Sequence, residues 1–218
     1  MEPHANAPVI AAGTPLGESH AVMIMVHGRN AGPGNILDLV PVLDRPAFTY
    51  LAPGAVGGTW YPYSFMAETK KNEPYLTSAL RLLERLLRSL LERGVRREHI
   101  ILLGFSQGAC LASEFAVRNA GRYGGVVAFS GGLIGPPGST WERPGSFDAT
   151  PVFLGCSDVD AHVPKTRVDE SAEVFAGMGA DVTERIYPGL PHTVIDDEIE
   201  FTRSLMDAVL ADRPAPKA

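Results

Sequence analysis

Five short apolar runs and one alternating run, spaced by helical segments and Gly/Pro-rich turns, limit this chain to one fold class. Residues 21–26 (AVMIMV), 47–52 (AFTYLA), 99–103 (HIILL), 124–129 (GGVVAF) and 151–155 (PVFLG) are rich in branched and aliphatic side chains without alternation. That is the pattern of strands buried on both faces. Residues 181–187 (DVTERIY) alternate and predict a sixth strand at an edge. Between the runs, Leu76, Leu80, Leu83, Leu87 and Leu90 or Leu91 recur at steps of three and four, one face of a helix over 74–93. Arg81, Glu84, Arg85, Arg88 and Glu92 on its other face predict a solvated, ion-paired surface. Further helices are predicted at 107–119, 165–178 and 195–211. Alternating strand and helix imply a mostly parallel sheet of six or more strands with helices on both faces.

No repeat or interdomain linker interrupts the pattern, so residues 1–218 read as a single domain. Residues 1–8 and 212–218, the second ending in APKA, are expected to be flexible tails. A chain of 218 residues is long enough to bury one substantial core. The net charge of −6 argues against nucleic acid, whose phosphates demand a basic surface. The N-terminus lacks a basic stretch before a long apolar run, and no apolar run approaches spanning length. A cytoplasmic protein without membrane insertion is therefore expected. Cys110 and Cys156 lack metal-site spacing and read as buried apolar residues.

In a parallel sheet, ligands bind beyond the carboxyl ends of the strands. After the run at 99–103 the chain reads Gly104-Phe105-Ser106-Gln107-Gly108 and enters a helix. A serine between two glycines at a strand-to-helix turn is the signature of a strained nucleophile elbow; an ordinary structural turn is the alternative. Asp158 and Asp160 follow the fifth run and His192 follows the sixth, giving the chain order Ser, Asp, His. A serine hydroxyl needs a neighbouring base to become nucleophilic, and a histidine titrates in the right range. A carboxylate then fixes the imidazole tautomer; these residues leave Asp158 and Asp160 as alternatives. The backbone N–H groups of Gln107 and Arg29 are the expected oxyanion donors. His27, just before Arg29, is expected to orient that loop. The acidic run Asp196, Asp197, Glu198 and Glu200 reads as carboxylates favoured in a first helical turn, not as a metal site. No nucleotide-binding fingerprint appears, and neither cofactor nor metal is expected.

The blocks MVHGRN, LLGFSQGACLA, FSGGL, GCSDVDAHVP and YPGLPHTV together resemble the phospholipase/carboxylesterase family of α/β-hydrolases over residues 22–205. The resemblance implies an α/β-hydrolase fold and a serine carboxylesterase acting through an acyl-enzyme on Ser106. Lysophospholipase or acyl thioesterase chemistry is the alternative, and a non-catalytic binding protein a more distant one. The family's D-x-x-V-P element matches Asp160 to Pro164 and assigns the acid to Asp160, leaving Asp158 a turn residue. The chain departs from the family's frequent H-G-x-G-D at His27-Gly28-Arg29-Asn30-Ala31. Two aromatic-rich stretches, 53–67 and 131–147, are expected to form the pocket. Trp60, Tyr63, Phe65 and Leu133 are its foremost candidates, with Tyr61, Met66, Ile134 and Trp141 beside them. The expected partner is a small-molecule ester with a short-to-medium acyl or aryl group, and a homodimer is compatible with the sequence.

Overall fold

The computed structural model describes residues 2–212. Seven strands form one sheet: β1 (Val9–Gly13), β2 (Ala21–Val26), β3 (Phe48–Pro53), β4 (Ile100–Phe105), β5 (Gly125–Phe129), β6 (Pro151–Ser157) and β7 (Asp181–Tyr187). Their order is β1-β3-β2-β4-β5-β6-β7. β1 runs antiparallel to β3, and every other pairing is parallel. β2 to β6 are the five apolar runs and β7 is the alternating one. β1 is the addition: its residues are almost all exposed on the sheet's edge, so burial leaves little trace in its sequence.

Helices cover both faces: α1 (Pro33–Leu37), α2 (Val40–Leu43), α3 (Tyr75–Glu92), α4 (Gln107–Arg118), α5 (Lys165–Gly177) and α6 (Asp196–Ala211). The strand period of two divides the core between them. Val22, Ile24 and Val26 of β2 join the buried faces of α3, α4 and α5. Ala21, Met23 and Met25 face the opposite way, toward α1, α2 and α6. The apolar stripe of α3 is set by Leu76, Leu83, Leu87 and Leu90, with Leu82 also buried and Leu91 turned outward. Each buried leucine contributes roughly 1.5–3 kcal/mol. On the outer face, Arg81 and Arg85 hold Glu2, and Arg88 pairs with Glu84.

Those contacts with Glu2 correct the expectation of a loose N-terminus. His4 is fully buried, its backbone N–H donating to Ser78 Oγ at 2.8 Å. Pro8 accepts a hydrogen bond from the N–H of Gly54. Residues 213–218 of the expected C-terminal tail lie outside the described residues. β4 occupies the middle of the sheet, so the turn that follows it is flanked by the turns after β2 and β5.

Candidate active site

Ser106 stands where β4 becomes α4, with φ 56° and ψ −122°. A residue with a side chain rarely occupies that region, and holding one there costs on the order of 1–3 kcal/mol. Surrounding bonds impose it: the Ser106 N–H donates to the Phe129 carbonyl at 2.9 Å, and the Ser106 carbonyl accepts the Cys110 N–H at 3.0 Å. The flanking glycines exist for clearance. A Cβ on Gly108 would lie 2.5 Å from the His27 carbonyl oxygen, and one on Gly104 would lie 2.6 Å from Cα of Ala109. The tight turn projects the serine side chain from the strand end into an open cleft.

His192 lines the same cleft, on the loop between β7 and α6. Its Nδ1 lies 2.6 Å from Oδ2 of Asp160, whose side chain has no exposed surface. The other oxygen, Oδ1, accepts the backbone N–H groups of His162 (2.8 Å) and Val163 (3.0 Å). Burial works to raise the Asp160 pKa, but the bond to His192 and these two amides outweigh it, and the carboxyl sits below its ordinary value. The His192 ring is held between Phe105 and His162, with centroids at 4.9 and 4.8 Å. Asp158 serves another contact: its Oδ1 accepts the Gly189 N–H at 2.8 Å, tying the loop after β6 to the loop that carries His192. A histidine bonded this way at Nδ1 keeps Nε2 for the cleft, the arrangement a serine-activating base requires.

Across the cleft, Arg29 and Gln107 are both lining residues, and Gln107 opens α4, where backbone N–H groups lack helical partners. Their side chains share a further duty. Gln107 accepts the Trp60 N–H at 3.0 Å and donates to the Tyr61 carbonyl at 2.8 Å. The Arg29 guanidinium donates to the carbonyls of Tyr61, Pro62 and Tyr63. Together they clamp the loop at 60–63 over the elbow. His27 is buried below, where its Nε2 accepts the Ala55 N–H at 3.1 Å and its Nδ1 donates to the Gly28 carbonyl at 2.8 Å. Desolvation lowers its pKa, and both ring nitrogens are engaged. His27 braces the loop and has no nitrogen left to act as a base.

The cleft has a volume of about 740 Å³, within the usual range for small-molecule sites. Tyr61, Tyr63 and Phe65 line it, along with Ile36, Phe105 and Val163. Two expected pocket residues do not. Trp60 is fully buried, its indole N–H donating to the His27 carbonyl at 2.8 Å, so it supports the cleft floor. Leu133 is fully buried in the core behind α4 and α5. The stretch 131–147 is drawn inward because buried Arg167 donates to the carbonyls of Leu133, Gly135 and Pro136. Met66, Ile134 and Trp141 likewise lie off the cleft lining.

Arg167 and Glu198 are buried polar residues that the sequence pattern does not reveal. Glu198 is 1% exposed, accepts the Ile195 N–H at 3.0 Å and lies against Gly155. Burial pushes its carboxyl up to about 7. Its neighbours in the acidic run are engaged elsewhere: Asp197 with Arg185 and Tyr187, Glu200 with Arg203. Cys110 and Cys156 are buried free thiols, each raised to about 12 by burial.

Residues 15–210 match the model of the Phospholipase/Carboxylesterase family. A phospholipase/carboxylesterase structure from Dyadobacter fermentans DSM 18053 superposes with a TM-score of 0.89 at 40% identity, covering 96% of this chain and 99% of that one. The Bacillus cereus carboxylesterase shares the fold at 19% identity, with a TM-score of 0.73 over 94% of this chain and 95% of that one. Acyl-protein thioesterase 1 of Saccharomyces cerevisiae is 30% identical over 137 residues, 62% of this chain and 60% of the yeast protein. The match thus spans about 60% of that curated relative's length. With the elbow, the central strand and the family model all falling on the same residues, the chain belongs to the phospholipase/carboxylesterase family of α/β-hydrolases.

Proposed function

We propose that this protein is a serine carboxylesterase that cleaves short-to-medium acyl or aryl esters through an acyl-enzyme on Ser106. The observation that carries the proposal is the 2.6 Å bond between His192 and the buried Asp160, on a histidine that opens onto the same cleft as the strained Ser106. His192 takes the hydroxyl proton as Ser106 attacks the ester carbonyl. The oxyanion that forms is met by the N–H groups of Arg29 and Gln107, each donor being worth about 10²–10³ in turnover. The imidazolium, steadied by Asp160, passes its proton to the departing alkoxide. Water then attacks the acyl carbonyl while His192 takes its proton; the bond from the acyl carbon to Ser106 Oγ breaks, His192 returns the proton to Oγ, and the free acid leaves.

Hydrolysis of p-nitrophenyl esters from acetate to laurate tests this reading. Wild type turns over short and medium chains, and Ser106→Ala lowers kcat by at least about 10³-fold with little change in folding. An inert wild type, or an equally active variant, contradicts the proposal. A thioesterase reading is favoured by the yeast relative's name and uses the same groups. Matched acyl esters and thioesters separate the two: a thioester preference that persists at equal chain length selects the second. A small-molecule, cytoplasmic role belongs to the same proposal. Among the described residues no helix is long and apolar enough to cross a membrane.

A further inference from the structure

The cleft is charged in a way the rest of the molecule is not. The chain carries a net charge of −6. Yet among the described residues the cleft lining contains no Asp, Glu or Lys, and its one side chain of fixed charge is Arg29. Arg45, Arg118, Arg167 and Arg185 each have a carboxylate oxygen at 2.6 or 2.7 Å, whereas Arg29, like Arg97 and Arg122, has no carboxylate partner among the described residues. Arg29 instead spends three of its five N–H groups on main-chain carbonyls of the 61–63 loop. Neutral acceptors fix the guanidinium in place without cancelling its charge. Two N–H groups and a full positive charge therefore remain at an exposed position on the cleft wall.

Asn35 adds a donor to the same lining. Its Oδ1 accepts the Gly32 N–H at 3.1 Å, and its amide N–H groups have no hydrogen-bond partner among the described residues. Apolar residues complete the lining, Phe65, Phe105 and Val163 among them. A lining with one oriented guanidinium and an amide suits a planar, singly charged oxygen anion. A dianionic phosphate would bring a second negative charge that nothing in this lining offsets.

We infer that the preferred substrates are esters whose acyl group ends in a carboxylate, half-esters of small dicarboxylic acids, with Arg29 as the residue that selects them. The inference rests on the esterase reading above and narrows its substrate class. Arg29 then acts twice: its backbone N–H faces the oxyanion, while its side chain holds the far carboxylate. The acyl chain must bridge from Ser106 to that guanidinium, so chain length sets the preference.

The test compares mono-p-nitrophenyl glutarate with p-nitrophenyl valerate, which share a leaving group and differ in terminal charge. In wild type at low salt, kcat/KM for the glutarate exceeds that for the valerate by about tenfold or more, and the ratio shrinks as salt screens the pair. Arg29→Gln brings the ratio to about one or below, mainly through KM, and Arg29→Lys keeps most of it. Loosening of the 61–63 loop in either variant affects both esters and cancels in the ratio. A wild-type ratio at or below one, or a ratio unmoved by Arg29→Gln, overturns the inference. Turnover of the valerate without charge preference defeats this inference alone, whereas turnover of neither ester defeats the esterase reading. In that last case, calorimetric titration with glutaramic acid against valeramide still decides the charge preference: tighter binding of the anion upholds it, and equal or weaker binding ends it.

Discussion

Asp158 and Asp160 stand two residues apart on one loop, and hydrogen bonds give them separate duties. Asp160 is enclosed, with one oxygen on His192 and the other on two backbone amides. Asp158 holds Gly189 and so braces the loop without touching the imidazole. An amide in place of Asp160 would present the wrong partner to Nδ1 and invert the tautomer, at a cost of about 10³–10⁴ in kcat. Asp158→Asn keeps an acceptor for Gly189 and should lower kcat by less than about tenfold. Steady-state kinetics of the two variants check the ranking; the reverse order would assign the acid to Asp158. The elbow at Ser106 and the placing of His192 on the same cleft were legible in the sequence because an elbow and a chain order are local patterns. The roles of Arg167 and Glu198 were not, since burial of a charged residue is decided by which carbonyl or amide reaches it from elsewhere in the fold.

At the scale of elements, the six buried or alternating runs became strands and the four predicted helices became α3, α4, α5 and α6, with ends shifted by a few residues at most. Such segments carry their burial in their periodicity. β1 and the short α1 and α2 were missed because an exposed edge strand and helices of about one turn leave almost no periodic signal. The two aromatic loops were equivalent by composition, and hydrogen bonds separated them. Gln107 and Arg29 draw 60–63 over the elbow, while Arg167 draws 133–136 into the core. Gln107→Ala removes both side-chain bonds to Trp60 and Tyr61 but leaves its backbone N–H in place. Each stranded buried group costs about 1–3 kcal/mol, so the variant should melt earlier and show a raised KM. An unchanged melting temperature and KM would mean that the loop is held by other contacts.

For the molecule as a whole, a buried acid couples stability to pH. Glu198 holds its proton up to about 7 when folded, against an ordinary 4.5. Its unfolded form ionises first, so its burden is absent below the ordinary carboxyl range and grows as the pH rises through about 7. A displacement of that size corresponds to roughly 3 kcal/mol for a group so fully enclosed. Glu198→Gln keeps an acceptor for Ile195 and should raise Tm more at about pH 8 than at about pH 5. An equal gain at both would show that Glu198 is ionised or neutral throughout. His4 and His27 act in the opposite sense. Burial lowers both, so the unfolded chain takes up protons first and stability falls as the pH drops below the ordinary histidine value. In the proposed function, this framework holds a strained serine and a histidine on one cleft. Covalent labelling with a fluorophosphonate, followed by intact-mass measurement and peptide mapping, tests that alignment most directly. The account predicts a single adduct on Ser106, abolished in Ser106→Ala and strongly slowed in His192→Ala; an adduct on another residue, or none in an enzyme that still hydrolyses esters, would contradict it.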